Sequence, residues 1–296
     1  MASLMEGKAK EARELVARAE KKLGQNRFMA MFGNKYEDAA ELLEKAANGF
    51  KLAKQWDEAG RAYERLAECH VHLESPHEAA TALFDGANAL KKASPEGAVG
   101  LMKRAAELYC NMGRLGMAAK NFRECAEILE KGGDRDGAMQ YYEQASELYQ
   151  TEEMRAETNK CTVKMATLSA EAEDFARSMA LWEELARASV DNNLLKYSVK
   201  GYLLNGGLCA LCCGDLDKIR NTIDRYDDLD ATFNGTREFT FLKDLADAME
   251  EGDQEQFTAV VAEFDQITRL DPWKTSLLLK AKKSIAALEA QEEDLT

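Results

Sequence analysis

The sequence predicts an all-α protein, built as a twisted solenoid of antiparallel helical hairpins followed by a C-terminal helical bundle. The first observation behind this prediction is the composition. The chain of 296 residues is 46% hydrophobic and 31% charged, contains only 3 prolines, and is rich in Ala, Glu, Leu and Lys. Such a chain is typical of ordered, mainly helical proteins. The second and third observations are a repeat of about twenty residues and the placement of Pro and Gly between its units.

The repeat places small and large side chains at fixed offsets. Each unit has a small residue at offset 0, a large apolar residue near +3 or +4, and small or apolar residues at +7 and +8, which share one helix face. Small contacts let neighbouring helices approach closely, which predicts a stack of hairpins. The pattern resembles a tetratricopeptide array, whose period of about 34 residues is shorter than the roughly forty residues per hairpin predicted here. The series runs through Ala39, Ala59, Ala79, Ala98, Ala118, Ala138, Thr158, Ser178 and Ser198.

Proline and glycine predict where individual helices begin and end. Pro76 and Pro95 suit the first position of a helix, where a missing N–H costs little. Gly113 and the pair Gly132-Gly133 fall where helices should end. After about residue 213 the period fades, and helices are predicted over residues 216–229, 237–250, 254–268 and 273–290.

We therefore expect three parts in the chain. Residues 1–213 form the solenoid, of which residues 1–35 supply an N-terminal helix and an apolar loop. Residues 214–290 form the bundle, and residues 291–296 form an acidic tail.

A set of lysines recurs on the predicted exposed side of alternate helices. Offset +2 points away from the helix contacts, and Lys120, Lys160 and Lys200 occupy it at intervals of 40 residues, with Lys164 and Lys196 one turn away. Exposed lysines often serve solubility alone. On a chain of formal net charge −14, however, a one-sided basic strip favours a docking face for an elongated acidic partner. The net charge argues against a general nucleic-acid binder.

The two ends of the chain carry unusual compositions. Residues 27–33 place two Phe and two Met in a short link among basic residues. They form either a hydrophobic staple beneath the next helix or a wedge that touches a membrane interface. The ending, residues 291–296, is either a frayed acidic tail or a recognition element with one apolar anchor, Leu295.

The sequence offers no catalytic constellation. It contains no Gly-rich phosphate loop, no zinc-protease His pair and no Gly-x-Ser-x-Gly elbow, so we expect no enzymatic activity and no cofactor. The clusters around Cys69 and at Cys209, Cys212 and Cys213 are better explained as buried small side chains than as metal or redox sites. The start of the chain does not resemble a signal peptide, and we expect a cytoplasmic protein.

Several segments together resemble the soluble NSF attachment protein (SNAP) family, most like alpha-type members from plants or algae. They are Met-Phe-Gly-Asn-Lys-Tyr-Glu-Asp-Ala-Ala at 31–40, Ala-Ala-Asn-Gly-Phe-Lys-Leu-Ala-Lys at 46–54, Gly-Arg-Leu at 113–115, Asn-Lys-Cys at 159–161, Leu-Leu-Lys-Tyr-Ser-Val-Lys at 194–200, and the ending Glu-Asp-Leu-Thr. The resemblance covers the whole chain. It implies an adaptor that binds SNARE complexes and recruits and stimulates the ATPase NSF in vesicle trafficking and membrane fusion.

The resemblance also implies roles for particular residues. It implies SNARE binding by Arg114, Lys120, Lys160, Lys164, Lys196, Lys200 and Arg237. It implies membrane contact by Phe28, Met29, Met31 and Phe32, on cytosolic faces of secretory-pathway membranes. It implies ATPase binding by Glu250, Glu251, Glu292, Glu293, Asp294 and Leu295. The alternatives are a generic helical scaffold for acidic partners, or the gamma paralogue of the family.

Overall fold

A computed structural model describes the backbone of residues 2–24 and 34–293, and the side chains of these residues except 2, 3 and 286–293. Within this part of the chain the structure consists of α-helices and one 3-10 turn, and no strand occurs. The predicted all-α fold is therefore confirmed.

The helices follow one another with short links. They are α1 Ala2–Leu23, α2 Lys35–Leu52, α3 Trp56–His72, α4 Pro76–Leu90, α5 Pro95–Asn111, α6 Leu115–Gly132, α7 Arg135–Thr151, α8 Arg155–Glu171, α9 Phe175–Val190, α10 Lys196–Leu211, α11 Leu216–Leu229, α12 Arg237–Glu250, α13 Gln254–Ile267 and α14 Pro272–Glu293. The 3-10 turn is Phe233–Gly235.

The chain divides into two compact units, Met1–Cys161 and Thr162–Thr296, and the division falls within α8. In the first unit the consecutive helices from α1 to α7 pack against one another, which is the arrangement of a helical-repeat solenoid. The boundary predicted near residue 213 marks where the repeat pattern fades, and it stays a prediction about domain organisation.

The small residues of the repeat form the helix contacts of the first unit. Every alanine of the series from Ala39 to Ala138 is completely buried, and so are Ala46 and Ala47 at offsets +7 and +8. In the second unit Ser178 is buried, but Ser198 is exposed and Val199 occupies the buried position instead. The link between α9 and α10, residues 191–195, has five residues, whereas the links between helices from α2 to α9 have two to four, and the buried position on α10 falls one residue later than the repeat predicts.

The predicted helix ends are confirmed. Pro76 and Pro95 are the first residues of α4 and α5, and Gly113 and Gly133 adopt left-handed backbone conformations after α5 and α6, with φ of 69° and 85°. A residue with a Cβ is strained in this conformation. Nevertheless, the equivalent position after other helices is occupied by Lys54, Glu74, Glu153 and Glu173, all at φ between 55° and 65°.

The second unit has one continuous core around α10. A Cβ at Gly206 would lie 2.3 Å from Tyr226 Oη, and a Cβ at Gly207 would lie 2.4 Å from Leu242 Cδ1. Any larger residue at either position would therefore have to displace a fully buried side chain. The four helices predicted after residue 213 are all observed, two with the predicted bounds and two within a few residues of them.

Replacing Glu74 with Gly should stabilise the protein by about 0.5–1 kcal/mol, because Gly relieves the strain of the left-handed conformation. The same change at Glu147, an exposed position inside α7, should cost about 1 kcal/mol. Thermal unfolding of both variants checks this, and a loss of stability on Glu74→Gly would contradict it.

Candidate partner-binding surface

A shallow surface groove in the first unit contains two of the predicted basic residues. Arg114, the N-cap residue of α6, and Lys120, in its second turn, both line this groove, which has a volume of about 530 Å³. We call it the α6–α8 groove. The Lys120 ammonium also lies 5.6 Å from the ring centroid of Phe84 on α4, an attractive cation–π contact. The lining consists of Arg114, Leu115, Gly116, Met117, Lys120, Arg123, Tyr149, Glu152, Met154 and Glu157.

Lys160 borders the same groove through Glu157. The Lys160 ammonium lies 2.6 Å from Glu157 Oε1, while the Arg123 guanidinium donates to Glu157 Oε2 at 3.1 Å. The hydrogen bond from Lys160 holds the pKa of Glu157 below its usual range, so the carboxylate is ionised at neutral pH. The structure thus brings Arg114, Lys120, Lys160 and a further cation, Arg123, together around one groove.

In the second unit, Lys200 and Arg237 come together where α10 meets α12. Lys200 pairs at 2.9 Å with Glu238, the neighbour of Arg237 in the chain. The Arg237 side chain donates to Thr268 at 3.1 Å and stacks over Phe264. Lys164 and Lys196 are exposed on α8 and α10.

Sequence reasoning missed two exposed apolar residues beside Lys196. Leu194 is 88% exposed and Tyr197 is 77% exposed, although large apolar side chains at the start of a helix usually face the core. The repeat period gave no signal for them, because the shifted register of α10 turns this segment outward. The run Leu-Leu-Lys-Tyr at 194–197 indicates the family resemblance, but its sequence pattern alone predicts no binding site.

The acidic residues expected to contact an ATPase lie partly within the described residues. Glu250, at the end of α12, is exposed and pairs with Arg220, and the exposed Glu251 is the C-cap residue of the same helix. Nearby, burial and the charge of Asp247 raise the pKa of Asp244. Glu292 and Glu293 belong to the last turn of α14, but their side chains lie outside the described part, as do Asp294 and Leu295 entirely.

The expected membrane-contact residues, Phe28, Met29, Met31 and Phe32, lie outside the described residues. The helices on either side of them are held together. Lys35 of α2 donates to the carbonyl oxygen of Leu23 at the end of α1 at 3.0 Å. An ion pair joins Lys22 to Asp38. The chain therefore leaves α1 and enters α2 within the reach of one lysine side chain.

The cysteines are arranged as packing residues. Cys209 Sγ lies 3.3 Å from Ser178 Oγ, and Cys212 Sγ donates to the carbonyl oxygen of Leu277 at 3.3 Å. Burial raises the pKa of both thiols to about 12, so they are protonated at neutral pH and poor nucleophiles.

Among the described residues no three His, Cys, Asp or Glu side chains are grouped to hold a metal ion. None of the described helices is both long and apolar enough to cross a bilayer.

Comparison with known proteins identifies relatives over almost the whole chain. A family model described as "Soluble NSF attachment protein, SNAP" matches residues 10–286. An alpha-soluble NSF attachment protein from Vitis vinifera is 45% identical over 96% of this chain and 97% of its own length. The human protein of the same name is 39% identical over 98% of each chain. A probable vesicular-fusion protein sec17 homolog from Schizosaccharomyces pombe is 37% identical over 96% of this chain and 98% of its own length.

Proposed function

The chain belongs to the soluble NSF attachment protein family, and we propose that it is an adaptor that binds SNARE complexes and recruits NSF for their disassembly. The observation that carries this proposal is the cluster of cations around the α6–α8 groove. Arg114, Lys120, Arg123 and Lys160 gather there on a chain whose formal net charge is −14. A local basic surface on an acidic protein steers and orients an acidic partner. An assembled SNARE bundle, a rod of four helices, is such a partner.

Each unit contributes its own basic surface to this interaction. The first unit offers the α6–α8 groove, and the second offers Lys196 and Lys200 on α10 together with Arg237 on α12. That all these cations act on one side of the protein stays a prediction.

Leu194 and Tyr197 add an apolar contribution in the second unit. Their exposed side chains flank Lys196, so a helix that approaches the lysine also covers them. Exposed aromatic and aliphatic side chains are favourable anchors in interfaces, and burying them adds affinity that salt does not screen.

ATPase recruitment is proposed for the acidic residues, in contrast to the SNARE binding proposed for the basic ones. Glu250 and Glu251 lie exposed at the end of α12, and the acidic ending supplies further charge with Leu295 as an apolar anchor. In this scheme NSF hydrolyses ATP, whereas the adaptor holds the SNARE complex and connects it mechanically to NSF. The closely packed helices of each unit suit this purpose, because tightly packed interiors transmit strain.

Membrane contact is proposed for Phe28, Met29, Met31 and Phe32. The helices on either side of this segment, α1 and α2, are joined by the Lys22–Asp38 ion pair and by the hydrogen bond from Lys35 to Leu23. A short apolar segment binds a membrane only weakly by itself. It acts here together with the binding of the protein to the SNARE complex. In this role the protein acts on the cytosolic faces of secretory-pathway membranes.

The double variant Lys120→Glu, Lys160→Glu should weaken capture of a soluble SNARE complex by roughly tenfold or more at low salt, because two attractions become repulsions. The matched control, Lys45→Glu with Lys54→Glu, reverses two exposed charges of the same unit and should have little effect. Binding measured across a salt series checks both, and equal losses from the two pairs would remove the groove from the interaction.

Deleting Asp294 to Thr296 should abolish stimulation of NSF turnover while SNARE capture stays unchanged, because the tail carries charge and an anchor for the ATPase. ATP hydrolysis by NSF, measured with the full-length and shortened proteins, provides the readout. Undiminished turnover with the shortened protein would favour a generic scaffold that has no ATPase partner.

Replacing Phe28 and Phe32 with Ser should slow SNARE disassembly on liposomes but not in detergent, because only the membrane reaction uses the apolar side chains. The two disassembly rates are compared for the variant and the unmodified protein. A deficit of equal size in both settings would assign these residues a structural role instead.

A further inference from the structure

The α6–α8 groove is lined by exposed apolar side chains as well as by cations. Met117 is 42% exposed and Met154 is 41% exposed, and both line the groove together with Leu115 and Tyr149. Most large apolar side chains of this unit are buried in helix contacts. Exposed apolar side chains that converge in a concave site are a feature of binding surfaces.

Met154 brings the two sides of the groove together. It lies just before α8, yet a Cβ added to Gly116 in the first turn of α6 would lie 3.4 Å from Met154 Sδ. The Met154 thioether therefore lies against the first turn of α6, next to Gly116. Methionine is flexible and polarisable, so a wall built from it adapts to differently shaped side chains.

Charged groups surround this apolar floor. Arg114, Lys120 and Arg123 line the groove, against the carboxylates of Glu152 and Glu157. Glu157 already accepts from both Arg123 and Lys160. The three cations outnumber the two carboxylates of the lining, so the groove carries a net positive charge. An occupant that combines an apolar side chain with carboxylates is complementary to it.

We propose that the α6–α8 groove is a methionine-lined socket that takes an apolar side chain exposed on the acidic helical bundle. On a helix, residues three or four positions from that side chain lie on the same face, and acids at those positions pair with Arg114 and Lys120. The inference rests on the proposed function and adds what the site recognises: an apolar residue one turn from an acid, rather than negative charge alone. Because methionine adapts its shape, different aliphatic or aromatic residues fit the same socket.

The two components of recognition respond differently to salt. Screening weakens the contacts of Arg114 and Lys120 as ionic strength rises, whereas burial of apolar surface is not screened. The socket therefore accounts for binding that persists at high salt, and the cations account for the slope of affinity against salt concentration.

The test measures the affinity of the full-length protein for a soluble SNARE complex from about 0.05 to 0.5 M NaCl. Met117→Gln and Met154→Gln should each weaken binding roughly three- to tenfold at every salt concentration, because each loses part of its apolar burial. Met117→Leu and Met154→Leu, which keep the apolar surface, should stay within about twofold of the unmodified protein. Lys120→Gln should instead flatten the salt dependence.

Leu52→Gln is the matched control, because Leu52 is a 67% exposed apolar residue of the same unit outside the groove, and it should leave affinity unchanged. Thermal unfolding of each variant verifies folding. Unchanged affinity of both Gln variants, with salt-sensitive capture intact, would overturn the socket and leave the proposed function standing. No capture by the unmodified protein would overturn both. Self-association of the protein that Met117→Gln removes would identify the occupant as a second copy and would also overturn the proposal.

Discussion

The close approach of neighbouring helices along a seam of small side chains is the constraint on which the first unit depends. The alanines from Ala39 to Ala138 are fully buried, and a Cβ at Gly60 would lie only 2.5 Å from Leu90 Cγ. Larger residues would separate the helices and forfeit the dispersion contacts of close packing. Because these contacts fix which face of each helix is buried, they also fix which repeat positions are exposed. Charged residues at equivalent repeat positions therefore lie on a common exposed surface of the first unit.

Ion pairs between alternate helices use this regularity. Arg65 on α3 pairs at 2.8 Å with Glu20 on α1, and Arg123 on α6 pairs with Glu157 on α8. An exposed pair such as Arg65–Glu20 contributes only about 0–1 kcal/mol, so it orients side chains more than it stabilises the fold. The Arg123–Glu157 pair is more buried, with about a quarter of each side chain exposed. Lys120 instead rests on the ring of Phe84, where its charge remains available to a partner.

The sequence predicted the features that depend on local periodicity and not those that depend on distant contacts. The buried alanines, Pro76 at a helix start and the helices after residue 213 follow from short-range patterns. The exposed Ser198 was missed because a longer link shifted the register of α10. The socket was missed because Met117 and Met154 line one groove only when the link between α7 and α8 lies against α6, which no repeat offset encodes.

The predicted lysines differ in how easily each can leave its carboxylate within this protein and pair with a carboxylate of a binding partner. Lys160 shares Glu157 with Arg123, so its ammonium can turn to a partner's carboxylate while Glu157 keeps one cation. Lys200 pairs with Glu238, whose side chain is only 12% exposed. If Lys200 turned to a partner, the largely buried Glu238 carboxylate would lose this ion pair. Leaving a sheltered charge without its partner costs more than breaking an exposed pair. Lys160 is therefore the freer donor, and Lys200 serves a partner best while still bound to Glu238, as a fixed positive charge rather than a moving one.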